Sequence, residues 1–214
     1  MISRPRIEAA LLALAGLFFI AFPVVRPFGD GSGDPKLVAE TYASGAWVVA
    51  HLLGLLAFVL LALGLHGLIP FAPRRNLAYA GFLVGVVGAG LTVAFFGAEA
   101  FGLHAIGEQA LHEGRTDALE LANKLRFGPA IYVMLAGLLS VVIGTSAVAF
   151  ALWESQLPRW AIALLAIGVF LWAVVLGVAS PSQPIRVAES LLLAGALWAL
   201  AWSIVRERPA ASLM

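Results

Sequence analysis

The chain has 214 residues, of which 62% are hydrophobic and only 12% are charged, and its formal net charge is +1. A soluble globular domain carries about 25% charged residues. The composition therefore argues against a soluble enzyme, a disordered protein and a nucleic-acid-binding protein, because it cannot cover a water-facing surface. The chain also has no cysteine, which excludes disulfides, thiolate metal sites and dithiol redox chemistry. We predict an integral membrane protein with the lipid bilayer as its first partner and no nucleic-acid partner.

Six stretches are long and apolar enough to cross a bilayer as helices. A span needs about 20 predominantly apolar residues, and the apolar runs here are continuous rather than alternating. We therefore predict an all-α polytopic membrane protein, a six-helix transmembrane bundle that forms one domain over residues 1–214. The predicted spans cover about residues 7–25, 46–69, 77–101, 129–153, 160–179 and 187–205.

The basic residues predict the orientation of these spans. With a cytoplasmic N-terminus, the inner segments hold seven basic residues, all close to span ends, and the outer segments hold six. Acidic residues outnumber basic ones in the outer half, whereas the reverse holds in the inner segments. We predict a multi-pass protein with both termini in the cytoplasm.

Two long connections lie on the predicted outer side. The segment 29–35 is rich in Gly and Asp, which is typical of a flexible turn. The segment 102–128 has apolar residues at helical spacing, and we predict an outer amphipathic helical hairpin there. Gly114 is the predicted end of its first helix, and Thr116 is the predicted N-cap of its second.

His51 and Glu99 are ionisable residues inside predicted spans, where such groups are costly and mark functional candidates. The turn between the second and third spans centres near 73–74, so a rise of 1.5 Å per residue places the two side chains at a similar depth. Three interpretations remain open: a buried pair that sets the register of two helices, a proton- or ligand-handling site, or no contact. Trp47 lies one turn before His51 and is a further ligand-binding candidate.

Arg126 and Glu189 extend this candidate site, because they begin the fourth and sixth predicted spans on the same outer side. Together with Arg26, His51 and Glu99 they predict a polar cluster beneath the outer hairpin. In the alternative interpretation the arginines reach out to lipid headgroups, and Glu189 caps its helix near the positive end of the dipole.

His104, Glu108 and His112 follow one another at intervals of four residues, which places them along one face of a helix. Imidazole and carboxylate are suitable ligands for a metal or a haem iron. A haem held between His51 and His104 is the sharpest form of this hypothesis. The alternative is the wet face of a surface helix. The sequence therefore does not identify a cofactor. A haem or a metal ion is possible but is not the favoured interpretation.

Two short motifs carry a family resemblance. The first is Ala-His-Leu-Leu at 50–53, and the second is Gly-Ala-Glu-Ala-Phe at 97–101. With the layout of the spans, these motifs make the chain similar to a class of small, uncharacterised multi-span bacterial membrane proteins. That resemblance implies a bacterial inner membrane and no particular activity.

Hydrolase, kinase and dinucleotide-binding signatures are missing from the sequence, which favours a non-enzymatic role. The leading hypothesis is a protein that binds or conducts a proton, a cation or a small ligand at an outer polar pocket. One alternative is an accessory subunit, or a homo-oligomer, that uses the glycine-rich face formed by Gly81, Gly85 and Ala89. The other alternative is a haem- or metal-binding redox protein.

Overall fold

The structure is a computed structural model that describes residues 4–114, 116–178 and 182–206. Within these ranges every regular element is a helix, which confirms the all-α prediction. A 3₁₀ turn at Ile69–Phe71 follows α3, and a π-helical turn at Ala98–Leu103 joins α4 to α5. The helices are α1 (Arg4–Val25), α2 (Pro35–Ala43), α3 (Gly45–His66), α4 (Arg75–Gly97), α5 (His104–Glu113), α6 (Leu119–Phe127), α7 (Pro129–Leu152), α8 (Arg159–Val178) and α9 (Gln183–Arg206).

Five helical segments of the described chain are long and apolar enough to cross a membrane, which makes this a helical polytopic membrane protein. The sixth predicted span coincides with α8, which is apolar over Arg159–Val175 but falls short of that length. The count of six spans therefore stays a prediction. The five segments are Pro5–Val25, Gly45–Phe71, Arg75–Glu113, Pro129–Leu152 and Gln183–Arg206.

The long helices pack in a ring. Each contacts its neighbour in the order α1, α3, α4, α7, α8 and α9, and α9 packs back against α1. The middle of the ring is filled by aromatic side chains in edge-to-face contact. Phe19 and Phe58 each lie 5.1 Å from the Trp172 ring, and Phe22 and Phe96 continue the cluster toward one end of the bundle. We call these five residues the aromatic cluster.

Glycines bring α4 and α7 into backbone contact. A Cβ atom at Gly144 would lie 2.5 Å from the Gly81 carbonyl oxygen, and one at Gly88 would lie 2.5 Å from the Val141 nitrogen. Small residues allow this approach, on which helix association in lipid depends. The glycine-rich face is therefore occupied by α7 of the same chain, and a partner subunit would need a different surface.

Gly144→Ala should lower the free energy of unfolding by about 1–3 kcal/mol, because the added methyl group meets backbone atoms that cannot move aside. Gly90→Ala is the matched control, since a Cβ there has no neighbour within 4 Å. We expect the control to be neutral or slightly stabilising, because alanine favours a helix over glycine. Thermal unfolding of the two variants in detergent measures the difference, and equal stabilities would contradict a close α4–α7 interface.

The helices α2, α5 and α6 lie at one end of the bundle, which we call the hairpin end. Helix α2 lies in the first long connection, where the sequence predicted only a turn. Asp34 caps it by accepting a hydrogen bond from the Lys36 backbone nitrogen at 2.9 Å, and Pro35 is its first residue. It packs so closely on α5 that a Cβ at Gly107 would lie 2.6 Å from the Ala43 nitrogen.

The hairpin at 102–128 differs in detail from the prediction. Its first helix is not separate, because Arg75–Glu113 forms one uninterrupted helical segment. Gly114 ends it as predicted, with a φ of 64° in the left-handed region. The expected cap at Thr116 is wrong, since α6 begins at Leu119 and no side chain caps it. Contacts of α5 with α2, and of α6 with α7 and the π turn, position these helices.

Candidate functional site

A cavity of about 540 Å³ lies at the hairpin end. Side chains from α1, α2, α3, α4, α6, α7 and α9 line it, together with the π turn, the connection before α2 and the connection before α6. One wall is polar, and the side toward the bundle interior is apolar. The apolar wall includes Phe22, Phe95, Phe96, Ile131 and Met134.

His51 and Glu99 meet on the polar wall, at the shared depth that the sequence predicts. His51 Nε2 lies 3.4 Å from Glu99 Oε2, and the two residues are 1% and 6% exposed. The π turn places Glu99 there, and its carbonyl oxygen accepts a hydrogen bond from Trp47 Nε1 at 2.9 Å. Such turns are rare and are frequent at functional sites.

The orientation of the His51 ring is set by Trp47. His51 Nδ1 lies 2.7 Å from the Trp47 carbonyl oxygen, and the two rings are 4.2 Å apart. A carbonyl oxygen can only accept, so Nδ1 carries a proton and donates it. Nε2 is therefore the nitrogen that faces Glu99. Trp47 thus takes part in the site through its backbone and its indole.

Glu99 belongs to a longer series of charges. Arg126 Nε donates to Glu99 Oε1 at 2.8 Å, and Arg126 Nη1 donates to Asp30 Oδ2 at 3.0 Å. The same Asp30 oxygen accepts from Arg26 Nη2 at 2.6 Å. We call the series Arg26, Asp30, Arg126, Glu99 and His51 the charge chain, because bases and acids alternate along it.

Tyr42 and Arg126 hold their protons in this environment. The Tyr42 hydroxyl oxygen accepts from Arg126 Nη1 at 3.2 Å. Burial raises the pKa of Tyr42, although the charge of Arg126 acts against this, so the phenol stays neutral at physiological pH. Burial alone would lower the pKa of Arg126, but Glu99, Tyr42 and Asp30 outweigh it and raise that pKa, so the guanidinium stays charged.

The arginines point into the cavity rather than out to lipid headgroups. Arg26 is only 8% exposed, and its guanidinium lies 5.0 Å from the Trp47 ring. The interpretation in which Arg26 and Arg126 reach for headgroups is therefore wrong, because carboxylates inside the protein bind both of them. The polar-cluster interpretation holds for Arg26, His51, Glu99 and Arg126.

Glu189 lies apart from the charge chain. It is 7% exposed on α9, and in the described part of the chain its Oε2 has no hydrogen-bond partner. Arg186, one turn earlier, lines the cavity and acts electrostatically on Glu189. The structure thus links Glu189 to the predicted cluster only through Arg186. The alternative in which Glu189 caps its own helix is wrong, because α9 begins at Gln183, two turns before Glu189.

The predicted metal set is not assembled. His104 Nδ1 donates to the Tyr42 carbonyl oxygen at 3.0 Å, and His104 Nε2 lies 3.6 Å from Glu108 Oε1. His112 is exposed farther along α5. No group of three His, Cys, Asp or Glu side chains in the described ranges has a geometry that could hold a metal ion. His51 and His104 each turn Nδ1 to a backbone carbonyl, and His51 turns Nε2 to Glu99 rather than toward His104.

Below the cavity the ring interior is dry. The aromatic cluster lies there, and the void beside Phe19, Phe58 and Trp172 measures about 10 Å³ with apolar side chains around it. A water molecule needs at least about 10–15 Å³ and several polar partners. The cavity at the hairpin end is therefore closed on its inner side.

Three residues of the site are absent from the sequence-based candidates. Asp30 stands in a Gly-rich turn where an Asp usually serves only the local backbone, and nothing nearby in the sequence indicates two arginine partners. Tyr42 lies on α2, whose start was signalled by Asp34 followed by Pro35. Arg186 counted only as one of the basic residues on the predicted outer side, although it lies at the start of a predicted span on the same side as Arg126.

Taken together, the fold and the site define an all-helical membrane protein with a charged cavity at one end of its bundle. Comparisons of the chain with models of known protein families, with curated proteins and with solved structures give no match.

Proposed function

We propose that this protein is a multi-pass protein of a bacterial inner membrane that binds a small ligand in the cavity at the hairpin end. The observation that carries the proposal is a cavity of about 540 Å³ with a buried charge chain along one wall. With both termini in the cytoplasm, as the charge distribution predicts, the hairpin end faces outward. The His51–Glu99 pair then serves as the proton-holding part of the binding site.

The size and lining of the cavity support a ligand-binding role. Small-molecule sites measure about 300–1,000 Å³ and combine an apolar lining with a few polar groups that orient the ligand. The cavity has both kinds of surface, with Phe22, Phe96 and Met134 on one side and the charge chain on the other. A purely structural ion pair would not need such an adjoining space.

The aromatic cluster favours binding over conduction. A conducting protein needs a wetted path past the midplane, whereas the middle of this ring is packed with Phe and Trp side chains. The aromatic cluster would block the further passage of a ligand that enters from the hairpin end. The charge chain lies entirely on the cavity side of it, so no second charged site continues the path among the aromatic residues.

Gly31→Trp tests this proposal without altering any charge. Gly31 lines the cavity, is exposed, and has no atom within 4 Å of its Cβ position, so an indole there should fill the entrance without disturbing packing. Gly45→Trp is the matched control, because Gly45 has equally open surroundings and does not line the cavity.

The probes are phenylbutyrate, phenylbutylammonium and phenylbutanol, which share one apolar tail and differ in charge. Titration calorimetry in phosphatidylcholine nanodiscs measures their binding to the two variants and to the unmodified protein. We expect at least one probe to bind the unmodified protein and the Gly45→Trp control, and to bind Gly31→Trp at least about tenfold more weakly, a difference of about 1.4 kcal/mol. If no probe binds, or if all bind the two variants equally, the proposed function is wrong.

A further inference from the structure

We infer that the ligand of this cavity is a small organic anion with an apolar part, and that it binds together with one proton, which His51 holds. This inference rests on the proposed function and names the class of its ligand. Three observations carry it: the hydrogen-bond roles of His51, the charge balance of the charge chain, and the position of two buried arginines.

The first observation concerns a proton between His51 and Glu99. His51 Nδ1 donates to the Trp47 carbonyl oxygen, so in the neutral ring Nε2 would carry only a lone pair. That lone pair would face Glu99 Oε2 at 3.4 Å, and two acceptors do not attract each other. Glu99 is held as a carboxylate by Arg126 Nε at 2.8 Å. The arrangement therefore fits a His51 ring that carries protons on both nitrogens.

The second observation is the charge balance that follows. With His51 protonated, the charge chain has three positive members and two negative members, so one positive charge is unmatched. Tyr42 adds no charge, Arg186 and Glu189 add one formal charge of each sign on α9, and Glu120 is exposed to solvent at the rim, where its charge is screened. The ionisable groups around the site are thus Arg26, Asp30, Tyr42, His51, Glu99, Glu120, Arg126, Arg186 and Glu189.

The third observation is the proximity of Arg26 and Arg186. Both line the cavity, and both are more than nine-tenths buried. The positive charges of Arg26 and Arg186 act on each other at this wall of the cavity. An anionic group on the ligand would relieve this repulsion. Guanidinium groups are also the side chains that bind carboxylates most specifically.

The charge of the bound anion and the charge of His51 are coupled because both lie at the same buried wall of the cavity, where the dielectric constant is low. An anion in the cavity offsets the unmatched charge and so stabilises the protonated ring of His51. When the anion leaves, the positive charge of His51 is again unmatched, which favours release of the Nε2 proton to solvent. The only bond changes are the N–H bond that forms at Nε2 and the bond to hydrogen that breaks in the hydronium ion or buffer acid that supplies the proton as the anion binds. Affinity is therefore highest at low pH and falls as the pH rises and the empty site loses its proton.

Calorimetry with the three phenylbutyl probes at about pH 6 and about pH 8, which bracket the range where histidine changes charge, tests the inference. We expect phenylbutyrate to bind more tightly than phenylbutylammonium and phenylbutanol. Its affinity should fall by up to about tenfold per pH unit for one linked proton. Binding enthalpies in two buffers of different ionisation enthalpy should show uptake of about one proton at the higher pH.

His51→Asn separates the coupled proton from the rest of the site. Asparagine keeps a donor for the Trp47 carbonyl oxygen but has no titrating nitrogen. We expect phenylbutyrate binding to this variant to lose both its pH dependence and its proton uptake. His112→Gln is the control, because His112 is exposed and does not line the cavity. The buffer dependence of the unmodified protein shows whether a proton is taken up even if this variant does not fold.

Preference for phenylbutylammonium, or phenylbutyrate binding without proton uptake, would overturn the inference. Proton uptake that persists in His51→Asn would overturn it as well, because the proton would then lie elsewhere. In each case the Gly31→Trp comparison still decides the proposed function on its own.

Repeating the titration in phosphatidylglycerol nanodiscs identifies the source of the anion. Weaker binding there indicates a lipid headgroup, and unchanged binding indicates a free organic anion.

Discussion

Asp30→Asn is expected to lower the free energy of unfolding by about 3 kcal/mol, because removal of one partner from a buried ion pair leaves the other charges uncompensated. One Asp30 oxygen accepts from Arg26 at 2.6 Å and from Arg126 at 3.0 Å. Asparagine is nearly isosteric but lacks the negative charge between the two guanidinium groups. It would also offer an amide that donates toward groups that themselves donate.

Asp34→Asn is the matched control for this change. It makes the same substitution four residues further along the same connection, at an exposed position that caps α2. Asparagine is as good an N-cap as aspartate, so we expect a change of less than about 0.5 kcal/mol, as is usual for surface substitutions. Reversible unfolding of both variants in mixed micelles makes the comparison. Equal stabilities would mean that Asp30 does not hold the two arginines together.

Glu99→Gln is expected to have the largest effect on stability, about 3–5 kcal/mol. Glu99 is 6% exposed and lies between Arg126 and His51. Water therefore cannot take the place of this buried carboxylate and compensate for the loss of its negative charge. Neutralising Glu99 removes the negative charge that contacts both Arg126 and His51. Unfolding in mixed micelles measures the loss, and Glu108→Gln serves as the control because the Glu108 side chain is 64% exposed.

A double variant tests whether this loss comes from the Arg126 contact. Arg126→Gln alone should also destabilise the protein, because Glu99 and Asp30 then lose a shared donor. Combined with Glu99→Gln it should cost less than the sum of the two single losses, by about 0.5–3 kcal/mol, the range of coupling for residues in contact. Strictly additive losses would show that the two side chains do not interact.

Much of the bundle could be predicted from the sequence because each span is recognised from its own run of apolar residues, without knowledge of its neighbours. The predicted span 129–153 and α7 (Pro129–Leu152) agree almost exactly, since Pro129 begins the helix and the apolar run ends where it does. The meeting of His51 and Glu99 could be predicted as well. Their two spans form a hairpin, so helical rise alone gives the depth of each residue.

The rest of the site depended on contacts between segments far apart in the sequence. Arg126 reaches Asp30 across 96 positions, and no local pattern reports such a pairing. Helix α2 has too little apolar character to stand out by composition, and its place is set by its packing against α5. The metal interpretation of His104, Glu108 and His112 is wrong because a helical spacing cannot show whether three side chains converge, and no such group of three forms among the described residues.

The ring of helices also bears on the order in which the protein is built. Helix α1 is synthesised well before α9, yet the two are neighbours, and Trp198 Nε1 of α9 donates to the Ala13 carbonyl oxygen of α1 at 3.0 Å. Until α9 is inserted, one side of α1 faces lipid, and the wall that carries Arg186 is missing. A nascent chain that stops before α9 would hold Arg26, Asp30 and Glu99 around an open groove. The wall of the cavity would thus close only after α9 has packed against α1.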